Sequence, residues 1–355
     1  MANVVGVQYE RTGKSLEIDN LGMREMQRRA YSARENKYIL IKAPPASGKS
    51  RALMFLGLDK IYKQGLKKVI VSVPERTIGK SFARTELKKF GFFTDWDYDE
   101  KYNLCTPGDE GKISIFKSFL FDENSKILIC THSTLRHSYN QLKAEDFNNV
   151  LLAIDEFHHV SADEANILGK VLNGIMSASS AHIVAMTGSY FRGDNIPVLM
   201  DEDEAHFKKV TYNYYEQLNG YKYLKSLGIG YHFYQGKYLS AIKEVLDTDQ
   251  KTIVHIPNVN AGESTKLKHD EVDTILDLIG TIEKQDPETG VIHVKREDGK
   301  IIKVADLVND NPKDRDKIVN YLRKIKDVDD IDIIIALGMA KEGFDWPYCE
   351  HALTI

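Results

Sequence analysis

The chain has 355 residues, 42% hydrophobic and 28% charged, enough for two domains that each bury a core. Its formal net charge of −4 means that any nucleic-acid partner must be met by local basic patches or helix N-termini. Three scattered cysteines (Cys105, Cys130, Cys349) argue against a disulfide framework or structural zinc, and the absence of a leader pattern or an apolar run of roughly 18 residues leads us to expect a cytoplasmic protein with no membrane partner.

In chain order, "KYILIKA" reads as a buried strand feeding Gly48-Lys49-Ser50, and "RALMFLGLDKIYKQG" as the helix behind it, stopped at Gly65. Four more apolar strands follow: "KKVIVSVP", "SKILICTHS", "NNVLLAIDE" and "AHIVAMTGS". "ADEANILGKVLNGIMSAS" reads as a helix between the last two. Continuous apolar strands alternating with helices predict a parallel sheet covered on both faces. In such sheets the chemistry sits at the strands' carboxyl ends.

A second α/β unit is expected after a charged, tyrosine-rich bridge. Its helices are "YLSAIKEVLDT", "STKLKHDEVDTILDLIG" and "NPKDRDKIVNYLRKIK", and its strands "KTIVHIPN" and "DIDIIIALGM". "GVIHVKREDGKIIKV" reads as a hairpin turning at Asp298-Gly299. The expected division is 1–205 for the first domain, 206–236 for the connection and 237–355 for the second, with the hairpin inserted near 290–304. The bridge aromatics invite a base-stacking role, but amphipathic filler in a strand-and-helix connection is the simpler reading.

The stretch "IKAPPASGKS" ends as a phosphate loop should, although Ala43 stands where the G-x-x-x-x-G-K-[ST] pattern has its first glycine. Between a strand and a helix, the loop residues Pro45, Ala46, Ser47 and Gly48 would wrap the phosphates of ATP. Lys49 would then bridge the β- and γ-phosphates, and the Ser50 hydroxyl would ligate Mg²⁺. Asp155-Glu156 closes the apolar run "VLLAI", the Walker B arrangement. Asp155 would hold Mg²⁺, and Glu156 would orient and deprotonate water. The plain alternative for the acidic pair is a helix N-cap. For His158-His159 it is packing or a surface turn, since no third ligand stands at metal-binding spacing.

"APPASGKS", "IDEFHH", "MTGS" and "KEGFDWP" occur in this order, and their order and spacing resemble those of superfamily 2 helicases and translocases. The resemblance runs from about Arg24 to the last residue. It is strongest to DEAD/DEAH-type motors of the restriction-enzyme ATPase kind. It implies two tandem RecA-like P-loop NTPase domains of α/β class, with parallel central sheets. It also implies that Gln27 contacts adenine, and that Gly343 and Asp345 reach the nucleotide. Arg76, Thr131, Ser133, Thr134, His255 and Lys341 would grip nucleic acid, and His158 and Thr187-Gly188-Ser189 would couple hydrolysis to strand movement.

Each of these has a plainer alternative. Arg24 and Gln27 fit a helix surface, Thr131 and Ser133 fit a cap, and Trp346 fits a core anchor. Lys295, Arg296, Lys300 and Lys303 fit a half-solvated hairpin face. The glutamine-glycine-arginine helix that completes the family's second domain would follow "EHALTI", so the second sheet is expected to be incomplete. Turnover is then expected to be weak without an arginine supplied from elsewhere. Three functions follow. The first is an ATP- and Mg²⁺-dependent motor on nucleic acid, DNA favoured over RNA. The second is an ATP-gated clamp recruiting a nuclease or methyltransferase, and the third, the poorest fit, is a metabolic kinase.

Overall fold

The computed structural model describes residues 5–106, 108, 111–157, 167–188, 204–222, 224–309, 311–337, 346 and 348–355. One compact unit is Val7–Leu227, and the other contains Gly228–Ile355. Outside both main sheets, the short strands β1 (Val5–Gln8) and β8 (Ser226–Ile229) pair with each other.

The first unit is built on six strands: β2 (Tyr38–Lys42), β3 (Lys68–Val73), β4 (Ile127–Thr131), β5 (Val150–Ile154), β6 (His182–Thr187) and β7 (Lys208–Thr211). Their spatial order is β4-β3-β5-β6-β2-β7, and every neighbouring pair is parallel. β3 and β5 are buried at every position, as a sheet covered on both faces requires. Alternation within β2 shows those faces. Ile39 and Ile41 join an apolar cluster with Met26 and Phe55, while Leu40 joins one with Phe116 and Leu172.

Five helices pair with these strands: α1 (Glu25–Ser32), α2 (Lys49–Tyr62), α3 (Lys112–Phe121), α4 (His132–Tyr139) and α5 (Ile167–Ala178). β7 lies in the stretch that the sequence reads as a connection, and it closes one edge of this sheet. The short helix α6 (Tyr214–Asn219) follows it.

In the second unit, α7 (Tyr238–Val245), β9 (Thr252–Ile256) and α8 (Lys268–Ile279) lead to three antiparallel strands. These are β10 (Thr281–Gln285), β11 (Ile292–Lys295) and β12 (Ile301–Asp306). α9 (Pro312–Leu322), β13 (Ile333–Leu337) and β14 (His351–Thr354) follow. β12, β13, β9 and β14 are parallel, in the order β10-β11-β12-β13-β9-β14. The β11–β12 hairpin turns at Asp298-Gly299: Arg296 N–H donates to the Lys300 carbonyl (2.9 Å), and Gly299 holds φ +89°. A tight turn of this kind can only join antiparallel strands. Arg296 pairs with Asp249 and Asp298, and Lys300 with Asp249. Trp346 is buried in the core with Ile334 and Ala305. No helix among the described residues is long and apolar enough to cross a membrane.

Candidate nucleotide site

Because the first sheet is parallel, the carboxyl ends of β2, β5 and β6 open on one edge. β2 hands the chain to Ala43, whose N–H donates to the Thr187 carbonyl (3.1 Å) and holds the loop against β6. Ala43 is buried in the core cluster and has no positive φ, so no glycine is needed there. The left-handed positions are Ala46 (φ +59°) and Gly48 (φ +91°). Gly48 opens α2, whose first-turn N–H groups have no partners within the helix. That end of the helix suits a phosphate.

Lys49 is 8% exposed and folds back on its own loop, its Nζ donating to the Ala43 (3.0 Å) and Pro44 (3.1 Å) carbonyls. Burial pushes its ammonium pKa down, and Glu156 and then Asp155 oppose that push. Ser47 Oγ is buried with no hydrogen-bond partner among the described residues. A buried hydroxyl in a phosphate loop fits a triphosphate acceptor. Ser50 lies half-buried in the first turn of α2.

Asp155 directly follows β5, and its N–H donates to the Ser72 carbonyl of β3 (2.9 Å). Its carboxylate Oδ1 accepts the Glu156 N–H at 3.0 Å. Glu156 itself holds φ +46°, a left-handed conformation that costs a non-glycine residue about 1–2 kcal/mol. Its Oε2 accepts the Gly188 N–H at 3.4 Å. A Cβ on Gly188 would lie 3.3 Å from both Lys49 Nζ and Pro45 Cδ, so this glycine seats directly on the loop. Three strand ends thereby converge: loop and lysine from β2, the acidic pair from β5, and Thr187-Gly188 from β6.

The Ser50 hydroxyl and the nearly buried Asp155 carboxylate are hard oxygen donors of the kind Mg²⁺ takes alongside substrate phosphates. Among the described residues no cluster of three or more His, Cys, Asp or Glu side chains could hold an ion by itself.

Gln27, at 2% exposure, does not lie on a helix surface. Its Oε1 accepts the Arg24 N–H (2.8 Å) and its Nε2 donates to the Gly48 carbonyl (3.3 Å), so it braces the phosphate loop. Thr131 caps α4 through Thr134 N–H (3.2 Å), Ser133 is exposed on the same turn, and Arg76 is exposed just beyond β3. β3 and β4 are neighbours, so these four residues share one part of the sheet edge. His255 lies in the second unit near the end of β9, its Nδ1 3.4 Å from Thr354 Oγ1. His158, Ser189, Lys341, Gly343 and Asp345 lie outside the described residues.

Two buried residues escape the sequence reading. Gln217 on α6 donates through Nε2 to the Pro45 carbonyl (3.0 Å) and to Tyr221 Oη (2.7 Å). Its Oε1 has no partner among the described residues. With Ser47, Arg24, Tyr212 and Tyr221 it lines a small cavity beside the loop. A glutamine placed after a tyrosine pair gives no signal for this. The other is His132, whose ring bridges Ser72 Oγ (2.7 Å) and the Asp155 carbonyl (3.1 Å).

The DEAD/DEAH box helicase family matches residues 24–193. A Bacillus subtilis (strain 168) protein named "Putative ATP-dependent helicase YeeB" is 62% identical over 356 residues, an alignment that takes in all of this chain and 59% of that protein. The crystal structure of the DUF1998 helicase MrfA bound to DNA and AMPPNP shares the fold at TM-score 0.59 and 15% identity, over 99% of this chain and 48% of that one. Dbp5 of S. cerevisiae, bound to Gle1 and IP6, shares it at TM-score 0.50 and 10% identity, over 97% of this chain and 77% of that one. The chain thus spans about half to three-fifths of the length of YeeB and MrfA. Its two α/β units share the tandem RecA-like fold of these structures, and residues 24–193 match the DEAD/DEAH box helicase family.

Proposed function

We propose that this chain is the ATP-hydrolysing motor part of a nucleic-acid helicase or translocase, working with Mg²⁺ in the cytoplasm. The convergence of Lys49, Asp155-Glu156 and Gly188 on one sheet edge carries the reading. In this reading the first-turn N–H groups of α2 and the Lys49 ammonium bind the phosphates. Ser50 and Asp155 hold Mg²⁺, which when bound offsets phosphate charge. Glu156 accepts a proton from water as the water oxygen bonds to the γ-phosphorus and the β–γ bridging oxygen leaves with ADP. Arg76, Thr131, Ser133 and Thr134 would meet the polymer backbone. Gln27 would act through the loop as well as on the base.

DNA is the polymer we favour, from the restriction-type motif likeness. The MrfA structure, which holds DNA, supports that choice. A nuclease or methyltransferase partner belongs to the same proposal.

The test is steady-state ATP turnover with duplex DNA, single-stranded DNA, RNA and no polymer, at one fixed salt concentration. Weak but polymer-stimulated turnover that Lys49→Ala and Glu156→Gln both abolish is expected, with nucleotide binding kept in Glu156→Gln. Tight nucleotide binding without turnover would make the chain a clamp rather than a motor. Small-molecule phosphorylation indifferent to polymer would overturn the reading.

A further inference from the structure

His132 occupies the first position of α4, directly after the cap residue Thr131. Its side chain turns away from the cap turn, where Thr131 and Thr134 are half-buried and Ser133 is exposed, and is buried beneath the sheet edge. There Nε2 lies 3.1 Å from the Asp155 carbonyl oxygen and Nδ1 2.7 Å from Ser72 Oγ. A carbonyl only accepts, so Nε2 carries a proton and donates to it, while Nδ1 shares a hydrogen bond with the Ser72 hydroxyl.

The Asp155 carbonyl is one end of the Asp155–Glu156 peptide plane. The other end, the Glu156 N–H, is held by the Asp155 carboxylate at 3.0 Å. A peptide is rigid, so rotating this plane changes φ of Glu156, which sits at +46°. Side chains of His132 and Asp155 therefore pin both ends of the unit that aims the Glu156 carboxylate at Gly188. Resting on the motor reading above, we propose that His132 is a positioning residue: it holds the Asp155–Glu156 peptide in its strained orientation and links that orientation to the cap turn of α4. A polymer that engages Thr131 and Thr134 moves the first residue of α4, and the imidazole carries that movement to the peptide. No contact between polymer and nucleotide is required.

The test uses the full chain and a fluorescent non-hydrolysable ATP analogue, titrated with and without a single-stranded DNA oligonucleotide. The wild-type chain is expected to bind the analogue at least about fivefold tighter when the oligonucleotide is present, the lower end of ordinary coupling. His132→Asn is too short to reach the Asp155 carbonyl. Its coupling should fall to within about twofold of none, against about fivefold or more in the wild-type chain. His132→Gln places an amide N–H near the Nε2 position and should restore most of the coupling. Ser72→Ala removes one hydroxyl and should also weaken coupling, so the proposal stays testable if His132→Asn does not fold.

Full coupling in folded His132→Asn, or in Ser72→Ala if His132→Asn does not fold, overturns the positioning role and leaves the motor reading intact. Independent binding of the two ligands by the wild-type chain also overturns it. A wild-type chain that binds neither ligand overturns the motor reading, and this proposal with it.

Discussion

Gly48→Ala tests the loop geometry most directly. Gly48 sits at φ +91° and ψ 28°, where an alanine costs about 1–2 kcal/mol. The added Cβ would also lie 2.4 Å from Gln27 Nε2, far inside contact distance. Gln27 is buried, so its amide has nowhere to go without giving up its bond to the Gly48 carbonyl, worth about 1 kcal/mol. A larger shift would also disturb its bond to Arg24 N–H at the start of α1, a capping contact worth about 0.5–2 kcal/mol. The total is about 2–3 kcal/mol, or up to about 5 if the Arg24 contact is lost as well, which is about 4–20 °C in the melting of a unit this size. Calorimetry of Gly48→Ala measures it, and repetition in a Gln27→Ala background separates the causes. There only the backbone cost of about 1–2 kcal/mol should remain. An equal penalty in both backgrounds would refute the steric argument, and a wild-type melting point would refute the loop geometry itself.

Other predictions follow from the same contacts. Burial, then Lys60 and Lys37, holds the His182 ring down at about 4. The unfolded ring has the higher pKa, so stability present above about 6.5 should be lost as pH falls toward 4. The limit is ~3 kcal/mol, which solvent at the half-buried ring cuts to about 1–2. Urea unfolding at several pH values should show this slope, and His182→Gln should flatten it; an unchanged slope in that variant rules His182 out. In the second unit, the fully buried Glu271 carboxylate accepts from Lys268 Nζ (2.8 Å) and from the Thr265 N–H and hydroxyl (2.7 Å each). Glu271→Ala strands a buried ammonium and should destabilise that unit by about 3–5 kcal/mol, more than Lys268→Met combined with Glu271→Leu does. Equal losses in thermal melts would count against a desolvated pair. Gly188→Ala should leave the melting point within about 2 °C while weakening ATP-analogue binding by about tenfold, because its Cβ presses on Lys49 and Pro45. Unchanged affinity in a fluorescence titration would show that Gly188 does not seat on the loop.

The strands that sequence reveals best are those buried on both faces. β3 and β5 are continuous apolar runs because no position faces water. β7 gives no such run, since it is an edge strand with only Val210 buried. α4 starts on the residue after β4 ends, with Thr131 as its cap, as one of the two readings of that residue in the sequence had it. The tyrosine-rich bridge is mixed in the same way. Tyr212 and Gln217 are buried against the phosphate-loop side of the sheet, while Tyr231 and Phe233 are exposed. Composition alone cannot separate them, because burial there depends on which strand of the sheet lies beside β2.

The site divides along a similar line. The proposed roles of Lys49, Ser50, Asp155 and Glu156 rest on residue types that phosphate and metal chemistry favours at strand ends. The conformation that makes them useful is written elsewhere. Nothing about a glutamate favours φ +46°. It persists because Asp155 turns back on the next N–H and His132, 23 positions upstream, holds the carbonyl of the same peptide. Parallel pairing of β3 with β4 and β5 is what brings Ser72, His132 and Asp155 together. In the motif "THSTLRH" the threonines and serine draw attention as surface hydroxyls. The histidine between them instead points into the sheet, because the first residue of a helix that starts at a strand's end can turn its side chain back under the neighbouring strands. Motifs point to groups whose chemistry suits a ligand; the contacts that hold a strained peptide in place, like those of His132 and Asp155, show only in the fold.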